Sequence, residues 1–527
     1  MKRFVACLLL LTVLSSAAHL SPKQFGSAEF TVRIDWVLEE GSGEGVDALE
    51  TFGFPTTAFQ TVDYYSEDDY SVSTDEWGNK RLRFEWPSTQ SKTISVLVEA
   101  KVDYSSGLSS ASQANEAYLE ASEFVVLDDL ALMQSQLIAG SAEGDFEKAV
   151  LLADWVHNNV EYDEEYWDDE YASDFVLEER RGVCNEQSHL LIALLRSQGV
   201  PARFVAGFVY SGELWGPHAW VEAAIDEYWV PLDPTFNEAG MLDATHLKFA
   251  HAPDQSGITE EVTRGLSVTK PALQVIVQES REFDLPFIIK DFKAPELVGP
   301  GALGKATVVI QSSSSRDQAV PLYLTVPTKP LELAVVIAGD ADSLVFLPSG
   351  SQRAVSWNLV FPEALEEGYY YNFTIILDSL GKRADFEVQG RSDADAPIVE
   401  SIVIDSLSAR FEEGAITVTA ELSNQGNAGV NAFLNCSLNG FSDESMVTLE
   451  VGDSQIVQFV FEALESGEAL TGALVVTTQR HTITQPFNIV VPEPPKVEKV
   501  EPDFVLLSFL VIGVLLLATV ATALKKC

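Results

Sequence analysis

The stretch Arg181-Gly182-Val183-Cys184-Asn185-Glu186-Gln187-Ser188-His189 runs directly into Leu190-Leu191-Ile192-Ala193-Leu194-Leu195. Leu190, Leu191, Leu194 and Leu195 recur at helical spacing, and Gly199 suits the position just past a helix C-terminus. Gly182 permits a sharp entry turn. Cys184 therefore falls at a helix N-terminus. There, unpaired backbone N–H groups and the macrodipole favour a thiolate and can also hold an oxyanion. The plain structural alternative is a small buried residue at a helix start.

The other cysteines are accounted for by position. Cys7 lies in an N-terminal apolar run, Cys527 is the last residue, and Cys436 sits far downstream in a β-rich region. Lys2 and Arg3, the apolar run from Phe4 and the small residues up to Ala18 read as a signal peptide over 1–18. Residues 504–524 carry no charge and are long enough to cross ~30 Å of hydrocarbon as a helix. Lys525 and Lys526 just after them favour a cytoplasmic C-terminus. The expectation is a single-pass membrane protein with the bulk of the chain extracellular. An uncleaved leader would add a span without changing that sidedness.

The 527 residues suffice for about three to five domains. Lys plus Arg number 33 against 79 Asp plus Glu, a net charge of −46. A surface that acidic repels phosphate backbones and argues against nucleic-acid partners. Alternating apolar residues from Phe30 to Trp36, Leu82 to Trp86 and Thr93 to Val102 predict an N-terminal β-sandwich-like domain over 22–110. Helical spacing begins after Phe124. Leu127, Leu130, Leu132, Met133 and Leu137 can share one helical face. A second helix is predicted from Phe146 to Asn159 with Asp145 as N-cap. These elements and the Cys184 helix make an α+β domain over 120–265.

Beyond it the chain is β-rich. Phe361-Pro362-Glu363-Ala364-Leu365-Glu366 recurs as Phe461-Glu462-Ala463-Leu464-Glu465, with Ala364 and Ala463 separated by 463 − 364 = 99 residues. That spacing fits tandem immunoglobulin-like sandwiches over 275–392 and 395–491. Pro492 to Lys499 lies in a stiff, charged stalk over 492–503.

A base for Cys184 comes from His218 in Pro217-His218-Ala219-Trp220-Val221-Glu222, which alternates as a strand. Trp229-Val230-Pro231-Leu232-Asp233 reads as the next strand. A two-residue loop at 225–226 sets His218 opposite Asp233; a loop at 226–227 makes them diagonal neighbours on one face. A three-residue loop would reverse the parity. An exposed polar strand pair is the alternative for these two residues.

Here a resemblance becomes specific. Gly182-Val183-Cys184, Ala193-Leu194-Leu195-Arg196, Gly199-Val200-Pro201-Ala202-Arg203, Gly207-Phe208-Val209, His218-Ala219-Trp220-Val221-Glu222 and Trp229-Val230-Pro231-Leu232-Asp233-Pro234-Thr235 resemble, in order and spacing, the transglutaminase-like superfamily. The likeness covers about residues 145–250 and includes an upstream helix with Asp154-Trp155-Val156. It implies a papain-like core with Cys184 as nucleophile, His218 as base and Asp233 as orienting carboxylate. It further implies a Cys184 thioester resolved by water or by an amine: peptide hydrolysis, deamidation or isopeptide cross-linking, on protein or peptide substrates. Asp243-Ala244-Thr245-His246 resembles membrane-anchored prokaryotic, notably archaeal, members.

Other candidates carry less. Trp155 and Trp167 lie upstream, where some members place an oxyanion-hole tryptophan. The acidic loop 161–171 could favour lysine-bearing substrates, or be a solvated surface. His189, His246 and His251 could join Cys184 around a metal, but no C-x-x-C is present, and neither metal nor cofactor is expected. Arg203 is expected to pack or pair near its strand, with no catalytic role. Asn372-Phe373-Thr374 and Asn435-Cys436-Ser437 fit the glycosylation pattern. A Cys184–Cys436 disulfide would need the catalytic and distal β domains to touch and would consume the nucleophile. A non-catalytic surface protein, binding cell-envelope partners through its sandwiches, is the competing function.

Overall fold

The computed structural model describes residues 25–38, 46–87, 91–111, 116–167, 170–212, 214–259, 261–262, 272–396, 399–412, 415–462, 469–478 and 481–490. The expected leader (1–18), stalk (492–503) and apolar span (504–524) lie outside them. Among the described residues no helix is long and apolar enough to cross a membrane.

Strand Phe25–Leu38 alternates strictly, turning Ala28, Phe30, Val32, Ile34, Trp36 and Leu38 inward. It pairs on one side with Lys92–Asp103 and on the other with Ala272–Glu282. The sequence places residues from 275 in the first C-terminal sandwich. Ala272–Glu282 instead closes the N-terminal sheet, because Leu273 and Val275 pack on the N-terminal core. Glu261–Val262 likewise pairs with Val46–Gly53 in the second N-terminal sheet. The chain thus returns to its first domain after completing the α+β unit.

That unit sets four helices against an antiparallel sheet: α1 (Asp129–Ala139), α2 (Asp145–Asn159), α3 (Ser173–Glu179) and α4 (Cys184–Ser197). α1 is capped by Asp128, whose carboxylate accepts the Ala131 N–H at 2.8 Å. Its buried face is Leu130, Ala131, Gln134, Ser135 and Ala139. Leu132 and Leu137 are exposed, and Met133 packs on the core of the distal sandwich. α2 begins at Asp145, with Gly144 as a cap that makes no side-chain bond; Asp145 pairs with Lys148 instead of capping.

The sheet runs Glu238–Ala239, Tyr228–Asp233, Trp215–Ile225, Ala202–Tyr210, Leu247–Ala252 in spatial order. Both faces are covered. Phe204, Ala219, Val221, Ala223 and Leu232 meet the helices. Val205, Phe208, Trp220 and Leu247 meet the N-terminal sandwich. Gly207 lies under the Trp220 ring, where a Cβ would come within 2.4 Å of that ring and 2.3 Å of the Leu247 carbonyl. Only glycine fits that close approach.

Two further sandwiches follow. The first buries Phe361, just past strand Gln352–Val360, and the second buries Phe461, near the end of strand Ser454–Glu462, so the sequence repeat marks a core phenylalanine at the end of a strand in each. Ala319 and Leu344 of the first sandwich join the α+β core, and Phe346 meets Phe146 edge-on at 5.9 Å.

Candidate active site

α4 is buried from Glu186 to Arg196, although only one face is aliphatic. Several of its polar side chains are paired, while Ser188 Oγ and His189 Nε2 are buried without a hydrogen-bond partner among the described residues. Gln187 Nε2 donates to the Val160 carbonyl at 3.0 Å, and the Arg196 guanidinium donates to the Glu120, Ala202 and Pro253 carbonyls. Glu186 folds back and accepts the Val183 N–H at 3.1 Å, the acidic half of a capping box. Gly182 makes room for it: a Cβ there would lie 2.4 Å from Glu186 Cβ.

Cys184 opens this helix and is 5% exposed. Its thiol contacts Asn185 Oδ1 at 4.0 Å and lies against the Ala219 backbone N–H, next in the chain to His218. The helix N-terminus alone predicts a lowered thiol pKa. Burial outweighs it and pushes the thiol up to about 12, with Glu186 and Asp233 adding to the rise against the Ala219 and Asn185 N–H groups. The resting thiol is neutral.

His218 and Asp233 are brought together. The hairpin pairs Val221 with Leu232 and Ile225 with Tyr228 around a two-residue turn at Asp226-Glu227, both with positive φ (49° and 67°). That is a type I′ turn, and it selects the diagonal register. His218 Nε2 and Asp233 Oδ2 are 2.7 Å apart. The other Asp233 oxygen accepts the Thr235 and Phe236 N–H groups at 2.7 and 3.1 Å. Although wholly buried, Asp233 is held well below the usual carboxylate range by its imidazole partners.

His246 joins the same carboxylate, its Nε2 being 2.8 Å from Asp233 Oδ2. The sequence offers His246, with His189, His251 and Cys184, as candidate metal ligands. The structure separates the three histidines. His189 stacks between Phe124 and Phe204, and burial lowers it to about 4. His251 bonds the Trp77 carbonyl. His218, Asp233 and His246 offer ligand atoms within 4.8 Å of one another. Their N···O separations of 2.7 and 2.8 Å are hydrogen-bond lengths. Two ligands of a tetrahedral ion with bonds of about 2.0–2.1 Å would stand roughly 3.3 Å apart.

Neighbouring expectations resolve simply. Arg203 pairs with Glu222 at 2.6 Å and lies over the Trp229 ring at 3.8 Å, while Lys248 bonds the same carboxylate. Trp155 packs under the Arg180 guanidinium at 4.3 Å, and Trp167 ends a short 3₁₀ turn. Tyr162 is the upstream ring that senses the thiol. Burial, then the neighbouring Cys184, raises its phenol well above the usual range. The parallel pairing of Tyr162 with Gly182 places it there, a long-range contact that no local pattern announces. Cys184 and Cys436 are both free, with Cys436 buried in the distal sandwich core.

A cysteine opening a helix against a sheet whose hairpin joins histidine to aspartate is the arrangement of a transglutaminase-like core. Residues 133–234 match the family model described as Transglutaminase-like superfamily, and the chain carries a domain of that superfamily there. "Uncharacterized protein YebA" of Bacillus subtilis (strain 168) is 32% identical over 83 residues, covering 13% of this chain and 11% of that protein. The chain thus matches about a tenth of that relative's length. A candidate cysteine protease from Cytophaga hutchinsonii aligns with 49% of this chain and 93% of its own, at 20% identity and a TM-score of 0.39. Red sea bream transglutaminase aligns with 86% of this chain and 93% of its own, at 11% identity and a TM-score of 0.18. At those scores neither structure carries functional weight, and the family assignment stands on residues 133–234.

Proposed function

We propose that this chain is a cysteine-dependent acyl-transfer enzyme acting on protein or peptide amides. The observation that carries this reading is the buried His218–Asp233 pair at 2.7 Å beside a thiol at a helix N-terminus. Asp233 engages Nε2 of His218, so Nδ1 is the nitrogen left to serve the thiol. Substrate binding brings an amide carbonyl to Cys184. His218 takes the thiol proton as sulfur attacks, then gives it to the leaving amine as the C–N bond breaks. The resulting thioester is cleaved by water or by an amine, which regenerates the thiol. Such proton-transfer contacts tighten only when substrate is bound, which accords with a resting thiol bonded to Asn185.

In this reading the leader over 1–18 and the apolar span over 504–524 hold the enzyme at the outer face of a cell membrane. The sandwiches and the stalk extend it from the surface. A non-catalytic, surface-binding role is the second reading, favoured by the 5% exposure of Cys184.

The deciding experiment incubates the full chain, in detergent, with a glutamine-bearing protein and a labelled primary amine. Label incorporation that requires Cys184 supports transfer. Peptide cleavage or ammonia release without incorporation supports hydrolysis or deamidation. No Cys184-dependent product with any amide substrate would overturn the enzyme reading.

A further inference from the structure

One oxygen of Asp233 serves two imidazoles. His218 Nε2 stands 2.7 Å from Oδ2 and His246 Nε2 stands 2.8 Å from it. The other nitrogen of His246, Nδ1, lies 2.9 Å from the Asp243 carbonyl oxygen. A carbonyl oxygen only accepts, so Nδ1 bears a proton. Asp233 is ionised and takes backbone N–H bonds on its other oxygen, so Oδ2 also only accepts. Nε2 of His246 must then bear a proton as well.

We infer that His246 is a buried imidazolium that fixes the orientation of Asp233 and offsets its charge, acting as a positioning residue for the His218 base. This rests on the thiol-enzyme reading above for its functional meaning, but not for the charge state.

The surroundings agree. His246 is 0% exposed, yet its pKa is raised: burial opposes the charge, and the Asp233 hydrogen bond and negative charge outweigh burial. The groups facing it are Asp233 and His218 from the hairpin, Glu238 from the next strand, and Asp243 from its own loop. Tyr104 of the N-terminal domain donates to its backbone carbonyl, and the Trp220 and Phe236 rings meet it edge-on. Burial pushes Glu238 up to about 8 and raises Asp243, whose two oxygens accept the Phe25 and Thr245 N–H groups at 2.7 and 2.8 Å. The charge in direct hydrogen-bond contact with Asp233⁻ is His246⁺, and each offsets the other.

The consequence falls on His218. A bare buried carboxylate would hold its partner imidazole in the charged form. A carboxylate already offset by His246 still orients His218 through the 2.7 Å contact but pulls less strongly toward the imidazolium. The loop carrying His246 is held from outside the core: Asp243 Oδ2 accepts the Phe25 N–H at 2.7 Å, and the Ala244 N–H donates to the Phe25 carbonyl at 2.8 Å. The N-terminal sheet therefore braces the second imidazole.

The test is ¹⁵N NMR of histidine-labelled full chain in detergent from pH 6 to 9. The His246 resonance is assigned by its loss in His246→Gln. Both His246 nitrogens are expected to carry protons at pH 7.5, in the wild type and in Cys184→Ala alike. In His246→Gln, which keeps a donor but no charge, the His218 titration should move upward by at least about tenfold in proton affinity, since a positive charge whose ring lies 5.6 Å away is gone. A singly protonated His246 at pH 7.5 would overturn the inference, as would an unmoved His218 titration in a folded His246→Gln. If that variant fails to fold, the wild-type signature alone decides, with assignment by difference from single substitutions at the other histidines. An intact signature with no Cys184-dependent turnover would uphold the charge state and sink the enzyme reading instead.

Discussion

Thr235 Oγ1 donates to Gln187 Oε1 at 2.7 Å, so the loop that follows Asp233 is tied to the helix that begins at Cys184. Both side chains are buried. Thr235→Val keeps the shape and strands the Gln187 oxygen without a donor. The loss should be about 1–3 kcal/mol of stability, read by denaturant unfolding. Amide turnover should fall as well, because the tie sets where the carboxylate stands relative to the thiol. A neutral effect on both would mean the contact positions nothing.

Asp233 accepts from two imidazoles and two backbone N–H groups. Asn in its place cannot accept at both positions. Asp233→Asn should reduce kcat by roughly 10³–10⁴-fold, the scale of losing an orienting carboxylate in a comparable triad. Steady-state kinetics on whichever amide substrate proves active gives the answer, and a loss under tenfold would remove Asp233 from the machinery.

With its thiol pushed up to about 12 and 5% exposed, Cys184 should resist alkylation at pH 7 in the native protein. The rate should climb only well above the free-thiol value of ~8.5 and should jump on unfolding. Peptide mapping after iodoacetamide treatment separates Cys184 from Cys436. A Cys184 thiolate already reactive at pH 6–7 would contradict the buried neutral thiol.

Burial holds Glu186 up to about 7 against an ordinary 4.5. A carboxyl whose folded pKa is raised binds its proton more tightly in the native state. Its ionisation therefore removes stability as pH rises from 4.5 to about 7, by an amount on the order of 3 kcal/mol. Glu186→Gln keeps an acceptor for the Val183 N–H and removes the titration. Relative to wild type, the variant should be more stable at pH 7.5 than at pH 4.5. A wild-type-minus-variant difference independent of pH would show that Glu186 does not titrate in this window.

Leu344 is 3% exposed and belongs to the first C-terminal sandwich, yet it packs in the core that contains Cys184. Its backbone N–H donates to Asp154 Oδ1, and nearby Tyr323 donates to the Phe236 carbonyl at 3.1 Å. Leu344→Ala should cost about 2–5 kcal/mol and should lower the melting temperature of the α+β core along with the sandwich. Separate transitions with only the sandwich shifted would show that the two do not fold as a unit.

Much of this was legible in the chain. Cys184 at a helix start follows from Leu190, Leu191, Leu194 and Leu195 at helical spacing, and the His218–Asp233 pairing follows from strand parity. Between two candidate registers, positive φ at Asp226 and Glu227 chose the diagonal one. Neither residue is glycine, so local turn preference did not announce that choice. The sandwich repeat was legible because Phe361 and Phe461 both face a core. The face of α1 was misread: Leu132 and Leu137 stay exposed while Gln134 and Ser135 are buried, since burial there depends on which elements arrive on each side.

The sequence by itself placed Cys184 at a helix start, offered His218 and Asp233 as a cross-strand pair and set the alternation that builds each strand, because those rest on periodicities and spacings within one segment, and its motifs carried the resemblance to the transglutaminase-like superfamily. Only the tertiary structure decided that the thiol is buried and neutral, that Ala272–Glu282 returns to pair with the first strand, and that His246 shares the Asp233 carboxylate. Each of these depends on residues far apart in the chain meeting where water is excluded, and there desolvation and paired charge outweigh local preference.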